Sequence, residues 1–167
     1  ADIKFGTDGW RGVIADNFTF ENVRRAAQAI ADYYNTKFKH PKAAVGFDTR
    51  FLSLEFANTV SEVLAQNGIE VNLSDRAIPT PALSLAVKHQ GLDFGVMITA
   101  SHNPPEYNGI KIKTNLGAAA GTEVTKEIER FIEQENSPKN MHTGAIKKCD
   151  FTQDYVRFLR NYIDLKK

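Results

Sequence analysis

The sequence predicts a layered α/β fold built on a mostly parallel sheet. Two observations carry this. Short apolar, strand-like runs alternate with segments whose apolar residues recur at helical spacing. Glycine, proline and capping residues punctuate the boundaries between them. A third observation gives one strand its direction. The link from Ala100 to Ile110 is about ten residues long and contains Pro104-Pro105, too short for a parallel crossover.

Phe18 to Phe38 carries Val23, Ala26, Ala27, Ile30 and Tyr34 at helical spacing, with Thr19 as the expected N-cap. Ala43 to Phe47 is a buried strand stopped by Asp48-Thr49-Arg50. Ser53 is expected to cap a helix ending at Gly68, a position suited to a left-handed glycine. Ile69 to Leu73 is the second strand. Pro79 and Pro81 open a third helix ending near Gly91. Asp93 to Ala100 (DFGVMITA) is the most strand-like run. Ile110 to Lys113 alternates apolar and charged residues, as a half-exposed strand does. Thr122 is expected to cap a helix over Glu123 to Glu135, and Phe151 to Ile163 is a final amphipathic helix. Asn136 to Lys148, with Pro138, Gly144 and several lysines, reads as a loop. The expected sheet therefore has four strands, the last of them antiparallel.

The chain has 167 residues, the size of one domain, and can bury roughly 70% of its unfolded surface. Its 21 basic and 20 acidic residues leave a net charge of +1 with no basic stripe, which offers no case for nucleic acid or an anionic membrane. The apolar runs are strand-length, and the N-terminus lacks the apolar core of a signal peptide. A lone cysteine, Cys149, leaves no internal disulfide and no multi-cysteine metal site. Together these point to a cytoplasmic protein. The absence of an initial Met makes the chain read as a piece of something longer.

In an open α/β sheet, ligands bind beyond the carboxyl ends of the strands, which singles out the loops after Phe47 and Ala100. The segment Thr99-Ala100-Ser101-His102-Asn103-Pro104-Pro105 exposes a hydroxyl on a loop stiffened by two prolines. Ser101 can serve as a nucleophile or phosphate carrier, or the loop can be a polar turn. His102 can move a proton near neutrality or anchor the loop. His40, His89 and His142 lack metal-ligand spacing and read as surface residues. Gly6 to Gly12 packs three glycines around Thr7, Asp8, Trp10 and Arg11. Such a stretch can approach an anion with its backbone and grip it with the guanidinium, or be an ordinary turn. Trp10 lines a domain boundary or covers the core. Lys111 shares a strand face with Lys113 and is either a phosphate clamp and acid/base or simply solvated. Asp48 and Arg50 read as a salt bridge tethering their loop.

Three stretches, in order, resemble the first domain of the α-D-phosphohexomutases, the phosphoglucomutase/phosphomannomutase family. They are FGTDGWRG at residues 5–12, VGFDTR at 45–50 and ITASHNPPEYNGIK at 98–111. The last is long and specific to that family. The resemblance implies a three-layer α/β/α domain with a four-stranded mixed sheet, covering residues 1–167 and about a third of a four-domain enzyme. It implies interconversion of hexose 1-phosphates and 6-phosphates through a hexose 1,6-bisphosphate. Ser101 would carry the phosphoryl group, whose phosphate would give Mg²⁺ one oxygen. Lys111 and Arg11 would assist proton transfer and charge stabilisation, His102 would lie beside the phosphoserine, and Asn103, Thr7 and Asp8 would support the loops.

The expected partners are a phosphorylated hexose and the remaining domains of the enzyme, with no nucleic acid and no membrane. The family's aspartate-rich metal loop, DGDGDR, is absent from these residues, so the fragment is expected to fold yet to be inactive as a mutase. The alternatives are a non-catalytic module that binds a phosphate ester, and a structural domain whose loops merely turn.

Overall fold

The computed structural model describes residues 3–6, 9–134 and 143–163. The elements run β1 (Trp10–Val13), α1 (Phe20–Lys37), β2 (Lys42–Phe47), α2 (Ser53–Gln66), β3 (Glu70–Ser74), α3 (Thr80–His89), β4 (Phe94–Ile98), β5 (Tyr107–Thr114), α4 (Thr122–Glu133), β6 (Ile146–Cys149) and α5 (Thr152–Tyr162).

They form one six-stranded mixed sheet in the order β1-β5-β4-β2-β3-β6. This corrects the expected four strands. It also corrects the expectation that the last strand is the antiparallel one: the last strand, β6, pairs parallel with β3. Antiparallel pairing joins β1 to β5, and β5 also runs antiparallel to β4. The two unforeseen strands are the two edges of the sheet. β1 is four residues inside a glycine-rich stretch. β6, Ile-Lys-Lys-Cys, is almost wholly exposed, and its lysines are the kind of charge that protects an open edge. A strand with one covered side lacks the apolar run by which a central strand is recognised.

The helices form two layers. Under α1, α2 and α4 lies the larger core, which takes the Ala43, Val45, Phe47, Phe94, Val96 and Ile98 side of the sheet. On the other face α3 and α5 cover a smaller core containing Ala44 and Met97. Burial on both faces explains why β2 and β4 read as continuous apolar runs. Thr19 caps α1, its hydroxyl accepting the Asn22 N–H at 3.2 Å. Val23, Ala26, Ala27 and Ile30 on that helix are buried, and the Tyr34 ring stacks on Phe94 with centroids 3.7 Å apart. Full burial of a side chain such as Phe94 contributes about 1.5–3 kcal/mol.

Three local expectations change. Leu52, in the left-handed region at φ 59°, caps α2, and the Ser53 hydroxyl instead donates to Asp48. Gly121, not Thr122, precedes α4. β5 is buried along its length except at its ends, and on the face of Lys113 α3 packs close, so that a Cβ on Gly95 would meet Val87, Leu83 and Lys113. The aliphatic stems of Lys111 and Lys113 tolerate such cover. Gly68 ends α2 at φ 79°, a conformation that glycine adopts without steric cost.

Candidate active site at the carboxyl end of β4

Ser101 lies just beyond β4, half-buried, on the link that turns the chain back into β5. Its φ of 57° is left-handed, unusual for a residue with a side chain. Its N–H donates to Thr99 Oγ1 at 3.0 Å. The hydroxyl sits 3.2 Å from Nδ1 of the exposed His102, so an unprotonated Nδ1 can accept the hydroxyl proton. Backbone bonds Asn103 N–H to Ala100 O and Tyr107 N–H to Pro104 O, both 3.1 Å, shape the rest of the turn.

The loop after β2 packs against this turn. The Arg50 guanidinium donates to the carbonyls of Ser101, Asn103, Pro104 and Tyr107, at 3.0, 2.6, 2.8 and 3.0 Å. Asp48 holds Arg50 in place: Oδ1 accepts the Arg50 N–H at 2.9 Å and Oδ2 lies 3.5 Å from Nε. The Ser53 hydroxyl donates to the same Asp48 at 2.7 Å, and the fully buried Asn108 side chain donates to Ser53 Oγ at 2.9 Å. Between the two loops is an open depression of about 530 Å³, lined by Asp48, Thr49, Arg50, Phe51, Ser101, Asn103 and Pro105.

Arg11 reaches the same place from β1. It pairs with Gly109, whose carbonyl accepts the Thr99 N–H at 3.0 Å, so Arg11 stands level with the end of β4. Its Nη1 donates to Asn103 Oδ1 at 2.8 Å, and the side chain is otherwise exposed. Gly109 permits this approach: a Cβ there would lie 2.7 Å from the Thr99 and Trp10 carbonyl oxygens and 3.1 Å from Arg11 Cγ. Lys111 follows Gly109 by two residues and so shares the face with Arg11, opposite Met97 and 8% exposed.

The structure thus brings Ser101, His102, Asn103 and Arg11 together, with Lys111 one pleat behind them on the sheet. Thr7, Asp8 and His142 lie outside the described residues. His40 and His89 are exposed. Trp10 is buried, its ring centroid 4.7 Å from that of Phe18, and it covers the core. Sequence reasoning missed the grip of Arg50 on the serine loop, together with Thr99 and Asn108. The available signal was Asp48-Thr49-Arg50 at the end of a buried strand, beside the other loop that the carboxyl-end rule selects.

Among the described residues, no group of three or more His, Cys, Asp or Glu could hold a metal ion. Mg²⁺ takes near-octahedral oxygen ligands, usually with one or two carboxylates. The Asp48 carboxylate beside Ser101 is already engaged by Ser53 and Arg50. The residues described do not by themselves fit a Mg²⁺ site. No helix among them is long and apolar enough to cross a membrane.

Comparison with known proteins agrees with this arrangement. Residues 2–139 match the model for phosphoglucomutase/phosphomannomutase, alpha/beta/alpha domain I. The chain is 36% identical over 176 residues to a phosphoglucomutase of Staphylococcus aureus strain MRSA252, covering 96% of this chain and 31% of that protein. It is 39% identical over 145 residues to a phosphoglucomutase of Staphylococcus saprophyticus, covering 85% and 26%. It therefore spans only about a third of such relatives. A Thermus thermophilus protein assigned as a phosphomannomutase superposes with a TM-score of 0.89 at 40% identity, over 99% of this chain and 37% of that one. A Burkholderia thailandensis structure, at 22% identity and TM-score 0.83, shares the fold. With the family match running through the Arg11 edge, the layered sheet and the serine loop, the chain belongs to the phosphoglucomutase/phosphomannomutase family, through its N-terminal domain I.

Proposed function

We propose that this chain is the phosphoserine-bearing domain of a phosphohexomutase, with Ser101 as the phosphoryl carrier. The observation that carries the reading is Ser101 itself: a serine held in a left-handed turn past a buried strand, its hydroxyl beside an imidazole nitrogen and its loop touched by a guanidinium.

In the forward direction, phospho-Ser101 gives its phosphoryl group to the free hydroxyl of a hexose monophosphate. The Oγ–P bond breaks, a P–O bond to the sugar forms, and the product is a hexose 1,6-bisphosphate. Ser101 Oγ regains a proton as the sugar hydroxyl loses one. The bisphosphate then returns its other phosphoryl group to Ser101, and the net result is a 1-phosphate exchanged for a 6-phosphate. Little covalent work falls on the protein in such a transfer, and catalysis is mostly positioning and charge stabilisation. His102 Nδ1 is within reach of the serine proton. Arg11 is the exposed cation for the transferring phosphoryl oxygens, and Lys111 adds positive charge from the same sheet face. Mg²⁺ belongs to the family resemblance, and its ligands would come from residues beyond those described here. The sugar-selecting surfaces belong to the other domains that the length of the relatives implies, so sustained mutase turnover is not expected of this chain alone.

The test is to incubate the chain with a hexose 1,6-bisphosphate and to map phosphate by peptide mass spectrometry, beside the chain as purified from cells. One phosphoryl group on Ser101, absent from Ser101→Ala and removable by a hexose monophosphate, is the expected result. A Ser101 that stays unmodified under both conditions, in a chain that still binds phosphosugar saturably, would favour a non-catalytic phosphate-ester-binding module.

A further inference from the structure

We propose that Arg50 is the positioning residue of the serine loop: its guanidinium sets the turn in which Ser101 is held and takes no part in gripping phosphate. This assignment deepens the reading of Ser101 as phosphoryl carrier and rests on it for the transfer measurement alone.

The four terminal donors of Arg50 are all taken. A guanidinium has five N–H groups. Nη1 donates to the Pro104 and Tyr107 carbonyls and Nη2 to those of Ser101 and Asn103, which occupies all four terminal hydrogens. None of the four terminal hydrogens is left over for an anion in the depression, and Nε is directed at Asp48. Arg11, by contrast, makes one bond among the described residues, to Asn103, and is exposed. The two arginines beside Ser101 therefore have separate tasks.

The loop needs such a partner. Pro104 and Pro105 have no N–H and cannot build a backbone ladder, so the turn offers its carbonyls few backbone donors, and Pro104 O, which takes the Tyr107 N–H, accepts from the Arg50 fork as well. A planar fork of fixed donors fits four carbonyls spread over one turn, whereas a lysine ammonium offers three donors from a single point. The clamp is anchored at its base. Asp48 is fixed by the Ser53 hydroxyl, and Ser53 accepts from Asn108 of β5, so the chain of bonds runs from one loop through the sheet to the other. The consequence falls on Ser101. Its N–H is held by Thr99 Oγ1 and its C=O by Arg50 Nη2, so both flanking peptide groups are fixed and the left-handed φ aims Oγ.

The experiment compares the full chain with Arg50→Lys and Arg50→Gln by amide hydrogen exchange, resolved at Ser101 to Tyr107 and at β2 and β4. A second readout is the rate of Ser101 phosphorylation against hexose 1,6-bisphosphate concentration. Both variants are expected to exchange the loop amides about tenfold faster or more, the scale for losing charge-assisted bonds, with the strand amides unchanged. Arg50→Lys does not rescue, because charge without the fork cannot span four carbonyls. The maximal phosphorylation rate falls and the half-saturating concentration stays, since no phosphate contact is removed. Equal loosening of loop and strands, full rescue by lysine, or a rise in half-saturation with the maximal rate intact would each overturn the assignment. Wild-type protein that takes up no phosphate at all would remove Ser101 as carrier, and the exchange comparison would still decide the role of Arg50.

Discussion

Arg11 Nη1 donates to Asn103 Oδ1 across 2.8 Å, and this one bond ties the outermost strand of the sheet to the loop that carries Ser101. On the proposed role of Ser101, it holds an exposed cation beside the place where the transferring phosphoryl group would sit. Arg11→Ala is expected to slow Ser101 phosphorylation by about 10²–10³-fold, the usual loss for a donor aimed at developing charge. Asn103→Ala, which frees the guanidinium without removing it, should cost only about tenfold. Both variants should unfold within about 0.5 kcal/mol of the parent, because the contact is exposed. Phosphorylation time courses and urea unfolding check the two together, and equal rates for Arg11→Ala and the parent would reject the role.

The left-handed backbone at Ser101 makes an unusual stability comparison possible. Ser101→Gly and Ser101→Ala lose the same hydroxyl, but only alanine keeps the steric cost of positive φ. Ser101→Gly should therefore be more stable than Ser101→Ala by about 1 kcal/mol. Denaturant midpoints measure the difference, and the reverse order would show that the turn is not strained.

Gly109 is where three strands' worth of backbone leaves no room for a side chain. A Cβ there would press on the Thr99 and Trp10 carbonyl oxygens. Gly109→Ala should cost about 1–3 kcal/mol, the range for overpacking, and should also disturb Thr99 and Arg11. A melting temperature equal to that of the parent would refute the crowding.

Burial pushes the Tyr34 phenol well above its ordinary value of 10.0, with the neighbouring Tyr33 and Asp93 adding to the shift. The folded state thus keeps this proton at a pH where the unfolded chain releases it. The stability contribution is complete below about pH 10 and declines as the pH rises further. Tyr34→Phe should flatten that alkaline decline relative to the parent while leaving the neutral region nearly unchanged. Urea unfolding from pH 8 to about pH 11 measures it, and parallel curves would show that Tyr34 does not contribute.

What could be read from the sequence was whatever is encoded locally. Thr19 and the spacing after it gave α1, and the all-apolar β4 announced itself because both of its faces are covered. The serine loop was legible as one continuous stretch. The edges were not. β1 shows the sheet a single covered side within a run of glycines, and β6 carries lysines where a central strand carries valines. Lys111 and Lys113 read as half-exposed because alternation cannot reveal that the polar face of the strand is covered too. Arg50 looked like a local partner of Asp48, since its carbonyl acceptors are 51 to 57 residues further along the chain. Pairings over that distance leave no periodic trace.

The placement of β1 has a consequence for the order of assembly. Its sheet partner is β5, and the bond from Arg11 spans 92 positions of sequence. A nascent chain that has not yet reached Tyr107 can pair β2 with β3 and β4, but it leaves β1 with no sheet partner and one side of β4 uncovered. Arg11 is thus made early and seated late. The entropy of closing so long a loop grows only with the logarithm of its length, so the delay is set by synthesis more than by thermodynamic cost. Until β5 emerges, the open side of β4 is a template for pairing with another chain. The segment that gives β1 its sheet partner is also the one that closes that edge.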